Sequence, residues 1–181
     1  NIAPIQEDLK DIEHNMLHFL ENHDEQRIAS PEFAGDALKG KPAMVVSATI
    51  SSAPTMIYFG QEFGEDGSEN AGFGSPSRTS IFDYVGVPSL QRWVNDKKFD
   101  GGQSTKEESD LRDFYKRLLN FTIKSDALMG EYQDIHQFNR EETLNYTSKV
   151  LSFTRWSENE KLVIISNFDG KGHHRFVLEI P

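Results

Sequence analysis

Asn22, His23 and Asp24 stand together between the apolar run Met16-Leu17-His18-Phe19-Leu20 and Arg27. A carboxylate accepts hydrogen bonds, an imidazole donates or accepts, and a carboxamide does both, so the three together suit the paired hydroxyls of a sugar. The run before them has the length and apolar content of a buried strand, which places the triplet where a strand emerges into a loop. In an α/β barrel, that end of the strand carries the chemistry. The same residues also suit a plain loop in which Asp24 caps the next helix and His23 packs beneath it.

The elements that must position the triplet follow from periodicity. Ile5, Leu9 and Ile12 recur at helical spacing among charges and predict an amphipathic helix over residues 5–14. Ser30-Pro31-Glu32 suits a short helix start, with Ser as cap and Pro in the first turn. Lys41-Pro42 opens another helix, whose interior Ala43 to Ile50 is apolar nearly all round and which Pro54 stops. A second strand is expected from Thr55 to Phe59. The Gly-, Ser-, Asn- and Asp-rich stretch from Gln61 to about Ser104 is long for a connection inside a compact domain, and such connections are usually functional. Thr105 and Glu108 then form a capping box ahead of a helix striped by Leu111, Phe114, Tyr115, Leu118 and Leu119.

Beyond about Asp126 the period changes to alternation. Tyr132–His136, Val150–Trp156, Leu162–Phe168 and Phe176–Ile180 read as four strands, the middle two joined by a turn at Ser157-Glu158-Asn159-Glu160.

Residues 19–27, Phe-Leu-Glu-Asn-His-Asp-Glu-Gln-Arg, resemble the fourth signature region of the α-amylase family, glycoside hydrolase family 13. Residues 55–64 resemble that family's eighth barrel strand and its exit. The stretch Arg78-Thr79-Ser80-Ile81-Phe82-Asp83-Tyr84 with residues 87–93 resembles the loop that follows in bacterial members. The resemblance implies an α/β then all-β chain: residues 1–126 as the C-terminal portion of a (β/α)8 TIM barrel, about strands 7 and 8 with their helices, and 127–181 as a partial β-sandwich C-terminal domain.

It further implies a retaining α-glucan hydrolase, with one carboxylate as nucleophile and another as acid/base. In that reading Asp24 stabilises the oxocarbenium-like transition state and His23 bonds the hydroxyls of the sugar at the cleavage point. Asn22 supports the turn or the ring, and Arg27 is expected with Asn22 and His23 among the substrate-binding residues, as a contact to the carboxylate network. The family's nucleophile and acid lie on strands upstream of these residues, so the parent protein is expected to be a glycosidase and this piece alone inactive. The alternative is a non-catalytic carbohydrate-binding or assembly module that pairs with a separate N-terminal half. The same signature serves α-1,4 and α-1,6 hydrolases and transglycosylases, and specificity among them stays open.

Length agrees with a fragment: 181 residues beginning at Asn1 fall short of the roughly 250 of a complete barrel. Two parallel strands without neighbours leave open edges, so the missing barrel half or self-association is expected to cover them. The net charge of −10 disfavours nucleic acid and anionic membranes as partners. No apolar run approaches the roughly 20 residues of a membrane span. With no cysteine there is neither disulfide nor thiolate metal site. The expected partner is an α-glucan or oligosaccharide substrate, and secreted, periplasmic and cytoplasmic locations stay open.

No cofactor or metal is assigned to these residues, although calcium in the intact enzyme is left open and Glu65, Asp66 and Glu69 offer it oxygen donors. Phe73, Phe82, Tyr84 and Trp93 suit either stacking on glucose rings or packing of the long loop. Glu62 is a candidate for ordering the floor of the site. His173 and His174 point to opposite faces of a strand and do not chelate.

Overall fold

The computed structural model describes residues 2–68, 78–82 and 86–181, so the expectations for Glu69, Phe73, Asp83 and Tyr84 lie outside the described residues. Its helices are α1 (Ile2–Leu9), α2 (Lys41–Thr49), α3 (Pro88–Val94), α4 (Lys106–Lys124) and α5 (His136–Glu142). Its strands are β1 (Glu131–Asp134), β2 (Val150–Trp156) and β3 (Lys161–Asn167), an antiparallel sheet in the order β1-β2-β3. The chain divides into two compact units, one of residues 1–18, 42–55 and 121–181, the other of residues 19–41 and 56–120.

The first unit is built on the sheet. Side chains alternate across a strand, and the register pairs Phe153 with Ile164 and Tyr132 with Arg155, so one face presents Tyr132, Leu151, Phe153, Leu162 and Ile164. That face packs on Val46 and Ile50 from and just beyond α2, with Phe153 fully buried. Truncating a buried Phe to Ala costs about 3–5 kcal/mol, so Phe153 carries a large share of this unit's stability. Beside it, the buried Arg155 guanidinium donates to the carbonyls of Ile50 at 2.7 Å and Leu128 at 2.6 Å.

Three expected strands differ, and of these the Thr55–Phe59 run makes a single bridge at Thr55 and is otherwise irregular, turning at Phe59 and Gly60. Met16–Leu20 forms no ladder, and only His18 makes a parallel bridge, to Thr55, with its N–H donating to the Pro54 carbonyl at 3.0 Å. Met16, Leu17 and Phe19 are 40–50% exposed, so here the run lacks the flanking surface that a buried strand needs. Phe176–Ile180 also pairs with no strand among the described residues. The alternation of exposed and half-buried side chains is present over 173–179, but the backbone is held by the Asn139 side chain, whose amide donates to the Glu179 carbonyl at 2.8 Å and accepts from its N–H at 3.0 Å.

The strand expected to reach His136 stops at Asp134, because the Asp134 carboxylate accepts from the Gln137 N–H at 3.0 Å and starts α5. The turn between β2 and β3 closes as expected, with Ser157 N–H donating to the Glu160 carbonyl at 2.9 Å.

In the second unit, Ile28, Tyr58, Phe63, Val87, Leu111 and Tyr115 form the buried apolar set. The expected capping box closes: Thr105 N–H donates to Glu108 Oε2 at 2.9 Å, and Glu108 N–H to Thr105 Oγ1 at 3.2 Å. Ser30-Pro31-Glu32 makes turns rather than a helix, because Phe33 and Gly35 both return their N–H groups to the Ser30 carbonyl and Gly35 takes a left-handed φ of 67°. Glycine is required at the ends of the short 3₁₀ turn Gln61–Phe63. Gly60 (φ 88°) would place a Cβ 2.9 Å from Val87, and Gly64 (φ 76°) one 2.8 Å from Ala37.

Candidate functional site

The Asn22–Asp24 loop begins where Glu21, itself buried, leaves the Phe19–Leu20 run. Asn22 turns the chain: its Oδ1 accepts from the N–H groups of both Asp24 and Glu25 at 2.8 Å, the pattern of an Asx turn. With the amide committed to backbone, the two following side chains are presented outward. Asp24 is 72% exposed and His23 51%, and His23 Nε2 lies 3.4 Å from Asp24 Oδ2. Here Asn22 shapes the loop and the neighbouring pair faces out.

Beneath that pair lies a buried ion pair. Arg27 is fully buried, and its Nη1 donates to Glu21 Oε2 at 2.8 Å. Its Nε and Nη2 donate to Thr79 Oγ1 at 2.9 and 2.6 Å, and Nη2 also donates to the Phe59 carbonyl at 2.7 Å. The guanidinium lies over the Tyr58 ring at 4.5 Å and the Phe59 ring at 5.4 Å. Glu21 Oε1 accepts from Ile28 N–H at 2.8 Å, which ties the far side of the loop to the same carboxylate. Burial pushes the Glu21 carboxyl above the usual carboxylate range, and the Arg27 charge and hydrogen bond oppose that rise. All donors that Arg27 directs at protein groups are thus spent inside the fold, under the loop and away from its surface.

Thr79 is 1% exposed, and its carbonyl accepts from the Tyr58 hydroxyl at 2.9 Å. The adjacent Arg78 is exposed, and its Nη1 donates to the Asp24 carbonyl at 3.4 Å. Glu21, Arg78 and Thr79 were visible in the sequence as parts of matched segments. Their roles had no separate signal, because Arg78 and Thr79 stand in a Gly- and Ser-rich stretch that reads as solvated and Glu21 meets its partners only through the fold.

Glu62 lies on the wall of a cavity of about 390 Å³ that Ile57, Arg112, Tyr115, Lys116, Leu119 and Asn120 complete. Its Oε2 is buried without a hydrogen-bond partner among the described residues, and burial raises its pKa. Arg112, Lys116 and Asn120 line this cavity from successive turns of α4. The Tyr115 hydroxyl accepts from Gln61 Nε2 at 3.1 Å, and burial pushes its pKa up to about 12.

Glu65 is committed internally. Its Oε2 accepts from the Ser89 hydroxyl at 2.7 Å and its Oε1 from the Gly67 N–H at 3.1 Å. Asp66 accepts from Ser68 N–H at 2.9 Å, and among the described residues no three His, Asp or Glu side chains converge as a metal site. Of the aromatics, Trp93 packs on Phe63 at 5.9 Å and carries the Arg112 guanidinium at 4.9 Å, whereas Phe82 is 63% exposed. His174 meets Asp169 at 3.2 Å and His173 is exposed.

No known protein-family model matches the chain. Among solved structures the chain is similar in fold to a Glu-to-Gln variant of AmyP in complex with maltotriose, with a TM-score of 0.53 and 20% sequence identity. The similarity covers 84% of this chain and 30% of that one, so the chain spans less than a third of the length of the protein it matches.

Proposed function

We propose that this chain is part of an α-glucan-hydrolysing glycosidase with a retaining mechanism, in which Asp24 stabilises the transition state and His23 binds sugar hydroxyls. The observation that carries the reading is the Asn22–Asp24 loop itself. An Asx turn presents a carboxylate and an imidazole side by side to solvent, above a buried Glu21–Arg27 pair that fixes the base of the loop. The fold likeness to AmyP, whose structure holds maltotriose, supports it. So does the parallel bridge between His18 and Thr55, because neighbouring barrel strands run parallel.

In a retaining mechanism the sugar ring acquires positive charge at the anomeric carbon as the glycosidic bond breaks. A carboxylate fixed beside the ring is worth more in that state than in the ground state, because its partner charge exists only then. Asp24 supplies the fixed negative charge. His23, one residue earlier, orients the ring through its hydroxyls. Asn22 holds both by holding the turn, and Arg27 acts from below through Glu21 rather than on the sugar. The nucleophile and the general acid belong to a part of the parent protein outside these residues, and the same part is proposed to cover the open strand edge at His18 and Thr55.

Two assays test this. The pure 181-residue chain is expected to release no reducing sugar from soluble starch, and measurable turnover would overturn the division of labour. In the longer gene product, Asp24→Asn is expected to lower kcat by about 10²-fold or more with a smaller change in KM. An unchanged kcat removes Asp24 from the mechanism.

A further inference from the structure

Thr79 is an unusual residue to find fully enclosed. It sits in a stretch rich in small polar residues, yet it is 1% exposed and is used at both its oxygens. Its hydroxyl accepts two N–H groups of Arg27, at 2.9 and 2.6 Å, and its carbonyl accepts the Tyr58 hydroxyl at 2.9 Å. Arg27 spends its remaining donors on Glu21 and on the Phe59 carbonyl, and Glu21 closes the circuit on the Ile28 N–H. Segments 21–28, 58–59 and 79 are therefore joined through one guanidinium.

A planar guanidinium with fixed donor directions holds its acceptors to a set geometry, which a lysine would not do. The consequence at the surface is that Arg78 stands beside the Asn22–Asp24 loop and donates to the Asp24 carbonyl.

We propose that Thr79 is a positioning residue: through Arg27 and Glu21 it docks residues 78–80 against the Asn22–Asp24 loop, so that Arg78 and Asp24 form one edge facing the sugar. The use of that edge rests on the glycosidase reading; the docking does not. An exposed guanidinium donates and an exposed carboxylate accepts, so a hydroxyl lying between them can accept from Arg78 and donate to Asp24. Arg78 is thereby assigned as a further contact for an α-glucan oligosaccharide.

The test is amide hydrogen exchange on the ¹⁵N-labelled chain, with and without maltotriose. The informative amides are those of Asp24 and Glu25, which donate to Asn22, and of Phe82, which donates to Ser80 Oγ. Thr79→Val keeps the shape and removes the acceptor. It is expected to speed exchange at these three amides at least about tenfold while β2 and β3 amides keep their rates, since local opening is separable from global unfolding. Thr79→Ser restores the hydroxyl and is expected to return wild-type rates.

Should Thr79→Val fail to fold, Tyr58→Phe releases the Thr79 carbonyl while keeping the Thr79 hydroxyl on Arg27, and is expected to speed Phe82 selectively. Uniform acceleration at all amides, or none at these three, overturns the proposal. With maltotriose, Arg78→Ala is expected to keep the exchange pattern and to reduce the ligand-induced shifts at Asp24 at least about threefold. Shifts at Asp24 that are intact in Arg78→Ala overturn that contact. A wild-type chain that shows no maltotriose shift, with Thr79→Val still loosening Asp24, sinks the sugar reading and leaves the docking standing. The reverse result sinks the docking and leaves the sugar reading standing.

Discussion

Replacing Arg27 by Met is the sharpest perturbation of the base beneath the loop. The methionine keeps an unbranched stem against Tyr58 but removes the charge and all four hydrogen bonds, two to Thr79 and one each to Glu21 and the Phe59 carbonyl. Removing one partner of a buried pair costs about 3–5 kcal/mol, because the other charge stays buried and unpaired. For a chain of this size each kcal/mol moves the midpoint by about 2–4 °C, so Tm should fall by roughly 6–20 °C at pH 7.

The deficit should depend on pH in a set direction. Glu21 already has a raised pKa from burial, and without Arg27 it rises further. A carboxyl whose folded pKa lies above its unfolded value keeps its full contribution below the unfolded value, near 4.5, and loses it as pH rises through the folded one. The destabilisation should therefore shrink towards pH 5 and grow towards pH 8. Glu21→Gln combined with Arg27→Met should recover a large part of the loss, since the orphaned charge is gone. Circular dichroism melts at pH 5, 6, 7 and 8 measure all of this. A single variant within about 2 °C of wild type at pH 7, or a double variant no more stable than the single, refutes the reasoning.

Glu62→Gln should leave the fold intact and gain stability relative to wild type as pH rises above about 4.5, because the buried, unpartnered Oε2 must otherwise carry charge; paired melts at pH 4 and pH 8 check it, and a constant difference contradicts it. Asp169, held by Lys149 at 3.1 Å and by the Lys171 N–H, has its pKa lowered to about 2. Its contribution is therefore present above about 4 and lost as pH falls towards 2; acid titration followed by β-sheet signal should show Asp169→Asn less stable than wild type at pH 7 and equal to it near pH 2. Burial lowers the pKa of His136, whose Nδ1 meets the Tyr146 hydroxyl at 2.9 Å, so stability should fall as pH drops below about 6.5, and His136→Gln should flatten that slope in the same melts.

The parts of the fold that were legible in the sequence are those with local causes. The capping box at Thr105 and Glu108, the apolar interior of α2 and the hairpin at Ser157 each depend on neighbours in the chain, and each formed. Met16–Leu20 carried the composition of a buried strand, but burial is a property of the partners on either side, and with Leu17 half exposed the run makes one bridge. α3 and α5 escaped notice because they are seven residues long, too short for a helical period to show. Pro88 at the start of α3 was the available sign. At the site, the exposed pair His23 and Asp24 could be read from residue types. The Arg27 contacts to Phe59 and Thr79 span 32 and 52 residues of sequence, and no spacing rule predicts a guanidinium that collects acceptors over such distances.

The most direct measurement is a titration of the labelled chain with maltotriose, followed by heteronuclear NMR and repeated on Asp24→Asn. The account predicts saturable shifts centred on His23, Asp24 and Arg78, and their loss in the variant with the rest of the spectrum unchanged. Shifts confined to other residues, or equal in both proteins, contradict it.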